Sequence, residues 1–257
     1  MGYRVGETGN RRIINSLNDF IMETNNLILN PDGTVLIGVS SNANAVIIPD
    51  GVREISNGAL YNCTSLKEVT MSDTVTKIGA HAFMGCINLK IVKLSNNVKT
   101  IGNCAFRDCS SIENIELPKT VKEIGDLTFY GCTSLKEIDF PQSLSFIGKA
   151  SFYGCTSLET VKLNANIQNI SFKAFNVCSS LKTMYCGVKN IEETIFDPQT
   201  FDGYAYHQCK LLTDNIRLCE KHKILGKFER IELDPRANNN AVTNEVVDTV
   251  AEISMTA

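Results

Sequence analysis

The chain has 257 residues, a net charge of −3 and a pI near 5.7, which argues against the clustered basic face that nucleic-acid binding calls for. Hydrophobic residues make up 43%, yet no apolar run approaches the ~18 residues that a membrane-spanning helix needs. Ten cysteines would suit a disulfide framework in a short secreted protein, but this chain is neither short nor irregular.

Met1 to Arg12 lacks the apolar core of a signal peptide, so the chain as given reads as unexported. Ile13 to Met22 places Ile14, Leu17 and Ile21 on one helical face, which predicts a short amphipathic helix. Asn30-Pro31-Asp32-Gly33 is a turn signal between two apolar runs, Leu27 to Leu29 and Val35 to Val39, and reads as a hairpin. Residues 1–44 therefore read as a helix-and-hairpin cap, able to cover an otherwise exposed sheet edge.

From residue 45 to 196 the chain repeats. Cys63, Cys86, Cys109, Cys132, Cys155 and Cys178 stand 23 residues apart each time. Val75, Ile78, Phe83, Leu89 and Val92 each return at the same spacing, for instance as Val121, Ile124, Phe129, Leu135 and Ile138. A further apolar rung runs through Met71, Leu94, Leu117, Phe140 and Leu163, with Cys186 in the next slot. The unit is V-x-x-I-G-x-x-A-F-x-x-C-x-x-L-x-x-V-x-L. A strict period of this length means a solenoid, because no single coil can bury its own apolar columns.

The alternating end of L-x-x-V-x-L predicts a short strand in each coil. Stacked coils then form a parallel sheet with strands ~4.8 Å apart. V-x-x-I-G gives a second extended segment on the return side. A-F-x-x-C is too short for a stable helix and reads as a single helical turn. Stacked cysteines have parallel side chains, which fit disulfide geometry poorly, so the ladder reads as reduced and buried. Cys104 lies off the ladder and reads as the accessible thiol.

Phrases such as Ala82-Phe83, Leu117-Pro118-Lys119-Thr120-Val121 and Gly131-Cys132-Thr133-Ser134-Leu135-Lys136-Glu137-Ile138 resemble the BspA-like bacterial-type leucine-rich repeats. The resemblance implies a leucine-rich-repeat solenoid of the α/β type: a curved right-handed coil of short parallel strands, turns and single helical turns. It also implies a surface or secreted interaction protein, associated with binding host matrix proteins or other cells.

At residues 197–233 Ala205-Tyr206-His207-Gln208-Cys209-Lys210-Leu211-Leu212 restores the repeat phrase, with Cys209 in the ladder slot 31 residues after Cys178. Phe228 to Ile231 resembles the family's closing phrase, without its usual proline and tryptophan. Residues 234–257 are polar and then carry Val246, Val247, Val250 and Ile253 at helical spacing. They read as either a disordered tail or a docking helix.

Catalytic phrases are missing: there is no G-x-S-x-G, H-E-x-x-H or phosphate loop. His207, Cys209, Cys219 and His222 offer the donor types of a zinc site, but their spacing matches no common zinc motif. No metal or cofactor is expected. Glu137 and Asp139, neighboured by Glu116, could serve as acid and base of a carbohydrate-active enzyme. Nothing nearby promises to desolvate one of them, so a non-enzyme is expected.

Residues between the core rungs point outward from the sheet. One outward column is Thr70, Lys93, Glu116, Asp139, Lys162 and Tyr185, and its neighbour includes Ile91 and Glu137. These positions vary in charge and size while the flanking rungs do not. They form the expected ligand-binding face of a non-catalytic, adhesin-like module with a protein ligand, with mixed charge at its centre. A carbohydrate-active enzyme and a purely architectural repeat segment are the alternatives.

Overall fold

The computed structural model describes residues 11–14, 20–24, 26–39, 43–187, 195–196, 200, 209–213 and 230–233. Strands at the start of the chain are β1 (Arg11–Ile14), β2 (Phe20–Thr24), β3 (Leu27–Leu29), β4 (Val35–Val39), β5 (Ala45–Ile48) and β6 (Glu54–Ile55). Next come β7 (Glu68–Met71), β8 (Lys77–Ile78), β9 (Ile91–Lys93), β10 (Thr100–Ile101), β11 (Glu123–Ile124) and β12 (Glu137–Asp139). The series ends with β13 (Phe146–Ile147), β14 (Thr160–Leu163), β15 (Asn169–Ile170), β16 (Thr183–Cys186), β17 (Ile195–Phe196), β18 (Lys210–Thr213) and β19 (Arg230–Leu233).

The chain is a β-solenoid with one coil per 23-residue repeat. V-x-x-I-G supplies the return ladder, β6-β8-β10-β11-β13-β15-β17, each strand parallel to the next. L-x-x-V-x-L supplies the opposite face, which the structure divides into β5-β7-β9 and β12-β14-β16-β18-β19. The sequence predicts a single continuous sheet there, and the structure breaks it between β9 and β12.

The stretch read as an N-terminal helix is, where described, the antiparallel pair β1 and β2, with Ile14 opposite Phe20. Three apolar matches from Ile14 to Ile21 are a short helical signal, and Ile13, Ile14 and Ile21 are β-branched residues that suit a strand. The hairpin at Asn30 to Gly33 is present. Asn30 Oδ1 accepts from the Thr34 and Val35 amides, both at 2.8 Å, and Gly33 takes φ 70°. β4 then pairs in parallel with β6, so the hairpin extends the return ladder.

A-F-x-x-C forms two successive turns, Met84 N to His81 O and Cys86 N to Phe83 O, both 3.1 Å, in place of the expected helical turn. His81 and Gly85 lie in the left-handed region at φ 58° and 76°. The His81, Phe83 and Gly85 amides donate to Asn103, Ala105 and Arg107 of the next coil. These amides are spent between coils and are not free to bond within a helix.

Five phenylalanines form the spine of the core. Phe83, Phe106, Phe129, Phe152 and Phe175 are fully buried and stack at 5.0, 5.5, 5.3 and 5.2 Å between ring centroids. Burying each ring stabilises the fold by ~1.5–3 kcal/mol. Phe140, from the other face, meets Phe152 edge-on at 5.6 Å.

The last described coil departs from the sequence reading. Asn169 pairs with Ile195 and Thr183 with Lys210, so the insertion is three or four residues. Thr200 is buried, accepts the Phe175 amide at 3.2 Å and takes the slot that Ala174 fills one coil earlier. Carried back one step, that register sets Cys209 at the Lys182 position and not at that of Cys178, and its thiol donates to Lys210 O where the ladder thiols donate to a carbonyl 26 residues back. Its run of Leu211 and Leu212 fits the core in either of two registers, and burial of Leu211 and Thr213 decides which. The tail from residue 234 lies outside the described residues.

Candidate binding face

Alternation along each strand buries Val69, Ile138, Val161 and Met184 and leaves their neighbours outward. Thr70 pairs with Lys93, and Asp139 pairs with Lys162, which pairs with Tyr185. Glu68 stands beside Ile91, and Glu137 beside Thr160. Ile91, Lys93, Glu116, Glu137 and Asp139 are exposed, while Thr70, Lys162 and Tyr185 are half-buried. The structure therefore groups Thr70, Ile91 and Lys93 on one patch and Glu137, Asp139, Lys162 and Tyr185 on another. Glu116 lies between them and in neither sheet. Ile47, 73% exposed on β5 beside Thr70, belongs to the first patch. The repeat columns start at Thr70 and do not include this residue, and Ala45 to Ile48 is apolar throughout, so its sequence carries no alternation to mark Ile47 as outward.

Charges on this face are matched between coils. Lys93 Nζ lies 3.4 Å from Glu68, and Lys162 Nζ 3.4 Å from Asp139. At the foot of the face Glu113 takes two lysines, Lys136 at 2.7 Å and Lys90 at 2.8 Å. Hydrogen bonds from Lys136 and then Lys90, with their charge, hold the Glu113 carboxyl down at about 2. Glu116 has no ion-pair partner among the described residues.

The face is open at its middle. Residues 114–117 form no strand, and among the described residues their backbone N–H and C=O groups make no hydrogen bond. The return ladder runs unbroken through the same coils as β8-β10-β11-β13, so the coils are stacked on one side and parted on the other. The opening is closed at both ends. The Lys90–Glu113 pair pins one end, and Thr120 Oγ1 binds Asn96 O and Val98 O at the other.

A cleft of about 880 Å³ results, lined by Lys90 to Leu94, Asn96 and Glu113 to Lys119. Its rungs Val92, Leu94 and Leu117 are only partly buried, whereas Val69 and Val161 are fully buried. In ladder register Glu116 would stand directly beside Asp139, and like charges opposed across a pair are destabilising. Lys93 is turned to Glu68 and Lys162 to Asp139, so neither lysine is paired with Glu116.

The cysteine ladder is structural. Cys86, Cys109, Cys132, Cys155 and Cys178 each donate Sγ–H to a carbonyl 26 residues earlier, at 3.0–3.2 Å. Burial pushes the Cys132, Cys155 and Cys178 thiols well up, which suppresses thiolate chemistry. Cys104, read as the accessible thiol, is buried, and Cys63 is the more exposed. The left-handed backbone at Cys104, φ 57°, puts it in a turn that alternation cannot orient. Of the four zinc-type residues only Cys209 is described. It is buried, and burial pushes its thiol up to about 12. His207, Cys219 and His222 lie outside the described residues. No His, Cys, Asp and Glu cluster suited to a metal occurs among the described residues. Glu137 and Asp139 are both exposed, and Asp139 is paired with Lys162. Among the described residues neither carboxyl is buried against an apolar wall. Among the described residues no helix is long and apolar enough to cross a membrane.

The BspA type leucine rich repeat region matches residues 39–126 and 105–228, in six copies. No curated protein matches the chain. A Treponema pallidum leucine rich repeat protein of known structure is 32% identical, with TM-score 0.58 over 61% of this chain and 76% of its own. A leucine rich cell surface protein of Faecalibacterium prausnitzii is 25% identical, with TM-score 0.62 over 76% of this chain and 55% of its own. A leucine-rich repeat protein of Bacteroides ovatus is 25% identical, with TM-score 0.59 over 88% and 53%. The chain thus spans about half the length of the latter two.

Proposed function

Because the chain belongs to the BspA-type leucine-rich repeat family, we propose that it is a non-catalytic protein-interaction module, adhesin-like, binding a protein ligand through the strand face. The observation that carries this is the outward columns. Thr70, Ile91, Lys93, Glu137, Asp139, Lys162 and Tyr185 vary from coil to coil on a rigid scaffold whose inner rungs do not. A solenoid sheet holds such side chains in fixed register over a long surface, and Ile91 and Tyr185 supply apolar anchors of the kind interfaces use. The Faecalibacterium relative is a cell surface protein, which supports a cell-surface setting for this chain.

The test is binding of the intact protein to a panel of purified extracellular-matrix proteins and to whole cells, at low and high salt. Exposed mixed charge predicts binding that weakens as salt rises. Binding that survives charge reversal at Lys93, Asp139 and Lys162 together would refute the strand-face reading.

A further inference from the structure

The parted coils at residues 114–117 carry three properties that an ordinary solvated sheet lacks. They present backbone donors and acceptors without partners among the described residues. They expose the flanks of Val92, Leu94 and Leu117, rungs that are sealed in neighbouring coils. They line an open cleft of about 880 Å³, within the ~300–1,000 Å³ typical of ligand sites. An unpaired strand edge is a template for pairing with another chain.

We propose that the cleft between Lys90–Leu94 and Glu113–Lys119 takes an extended peptide segment of a protein partner, which pairs as an added strand with the free backbone there. The inference rests on the interaction-module reading and names the site and the chemistry of its ligand. The Lys90 to Leu94 wall, at ~3.3 Å per residue, accommodates four or five residues of strand. Side chains facing inward would cover Val92, Leu94 and Leu117, so alternate residues of the segment are apolar. Glu116 and Lys119 line the same cleft with no ion pair among the described residues. The outward residues of the segment are therefore one basic, beside Glu116, and one acidic, beside Lys119. The Lys90–Glu113–Lys136 bridge and the Thr120 hydrogen bonds hold the cleft's two ends together.

The experiment selects binders to the intact protein from a displayed library of ten-residue peptides, then maps them by amide hydrogen exchange. In the free protein the amides of 114–117 should exchange at least ten-fold faster than those of Val161 and Met184, and bound peptide should slow them by a similar factor. N-methylation of alternate peptide amides should abolish binding, because it removes the pairing and leaves the side chains. Glu116→Pro costs the free protein no hydrogen bond and should abolish peptide binding with the melting temperature unchanged. If Glu116→Pro unfolds the chain, Glu116→Lys, which keeps the amide, should instead reverse the peptides' charge preference.

Amides of 114–117 already protected in the free protein would overturn the proposal, as would a selection that yields no binder. Peptides that tolerate N-methylation and protect β12 to β16 instead would overturn the strand-insertion claim while leaving the strand-face reading intact.

Discussion

Two glycines of the repeat test two separate physical requirements. At Gly102 the backbone is not left-handed, and the demand is space. A Cβ there would lie 2.6 Å from Ala80 N and 2.8 Å from Gly79 C, both backbone atoms of the preceding coil. Ordinary contact begins near 3.4 Å, so Gly102→Ala must push the coils apart by about 0.8 Å. A gap of that size forfeits about a quarter to a half of the local dispersion energy, and overpacking strain adds ~1–3 kcal/mol. It also stretches the 2.9 Å bond from Gly102 N to Ile78 O, for ~1 kcal/mol more. The total is ~3 kcal/mol. At Gly154 the situation is reversed, since φ is +72° and nothing lies within 4 Å of the added carbon. Gly154→Ala meets only the left-handed backbone penalty, ~1–2 kcal/mol, partly offset by a stiffer unfolded chain. Denaturant midpoints of the two variants, with unchanged slopes, should differ by ~2 kcal/mol with Gly102→Ala the weaker. Equal midpoints, or the opposite order, would refute the close approach of coils on which this reasoning depends.

His81 is exposed at φ 58°, and its imidazole has no hydrogen-bond or ion-pair partner among the described residues, so His81→Gly should stabilise by ~0.5–1 kcal/mol, read as a rise in melting temperature. Glu113 has a folded-state pKa below the ordinary ~4.3, so its ion pairs contribute fully above that value and are lost as pH falls through about 2. The melting-temperature gap between the native chain and Glu113→Gln should be largest above about pH 5 and close toward about pH 2. A gap independent of pH would contradict the double lysine bridge. Alkylation followed by peptide mapping should modify Cys63 before Cys104 or any buried ladder thiol, and the reverse order would contradict the turn geometry at Cys104.

The repeat made much of this fold legible. Columns such as Ile78 and Phe83 recur so often that each coil verifies the next, and the structure places them as a return ladder and a phenylalanine stack. The reading weakened where recurrence ended. Arg11 to Thr24 has no second copy, and three apolar spacings were too few to separate helix from hairpin. At the last coil Cys209 matched the ladder by residue type, while the strand register puts Thr200 where Ala174 stands one coil earlier. The outward columns were legible because alternation fixes direction. The break at residues 114–117 was not, since a 23-residue period continues through it unchanged. The like-charge opposition of Glu116 and Asp139 that the ladder register would impose appears only when the columns are read across the strands.

The central claim is that ligand binding belongs to the strand face and not to the return ladder. The most direct measurement compares two double variants of the intact protein against one bound partner. Lys93→Glu with Asp139→Lys alters the strand face, and Lys77→Glu with Glu123→Lys alters exposed positions on the return ladder. The strand-face variant should bind at least ten-fold more weakly, with the return-ladder variant indistinguishable from the native chain. Equal losses, or a loss confined to the return ladder, would contradict the account.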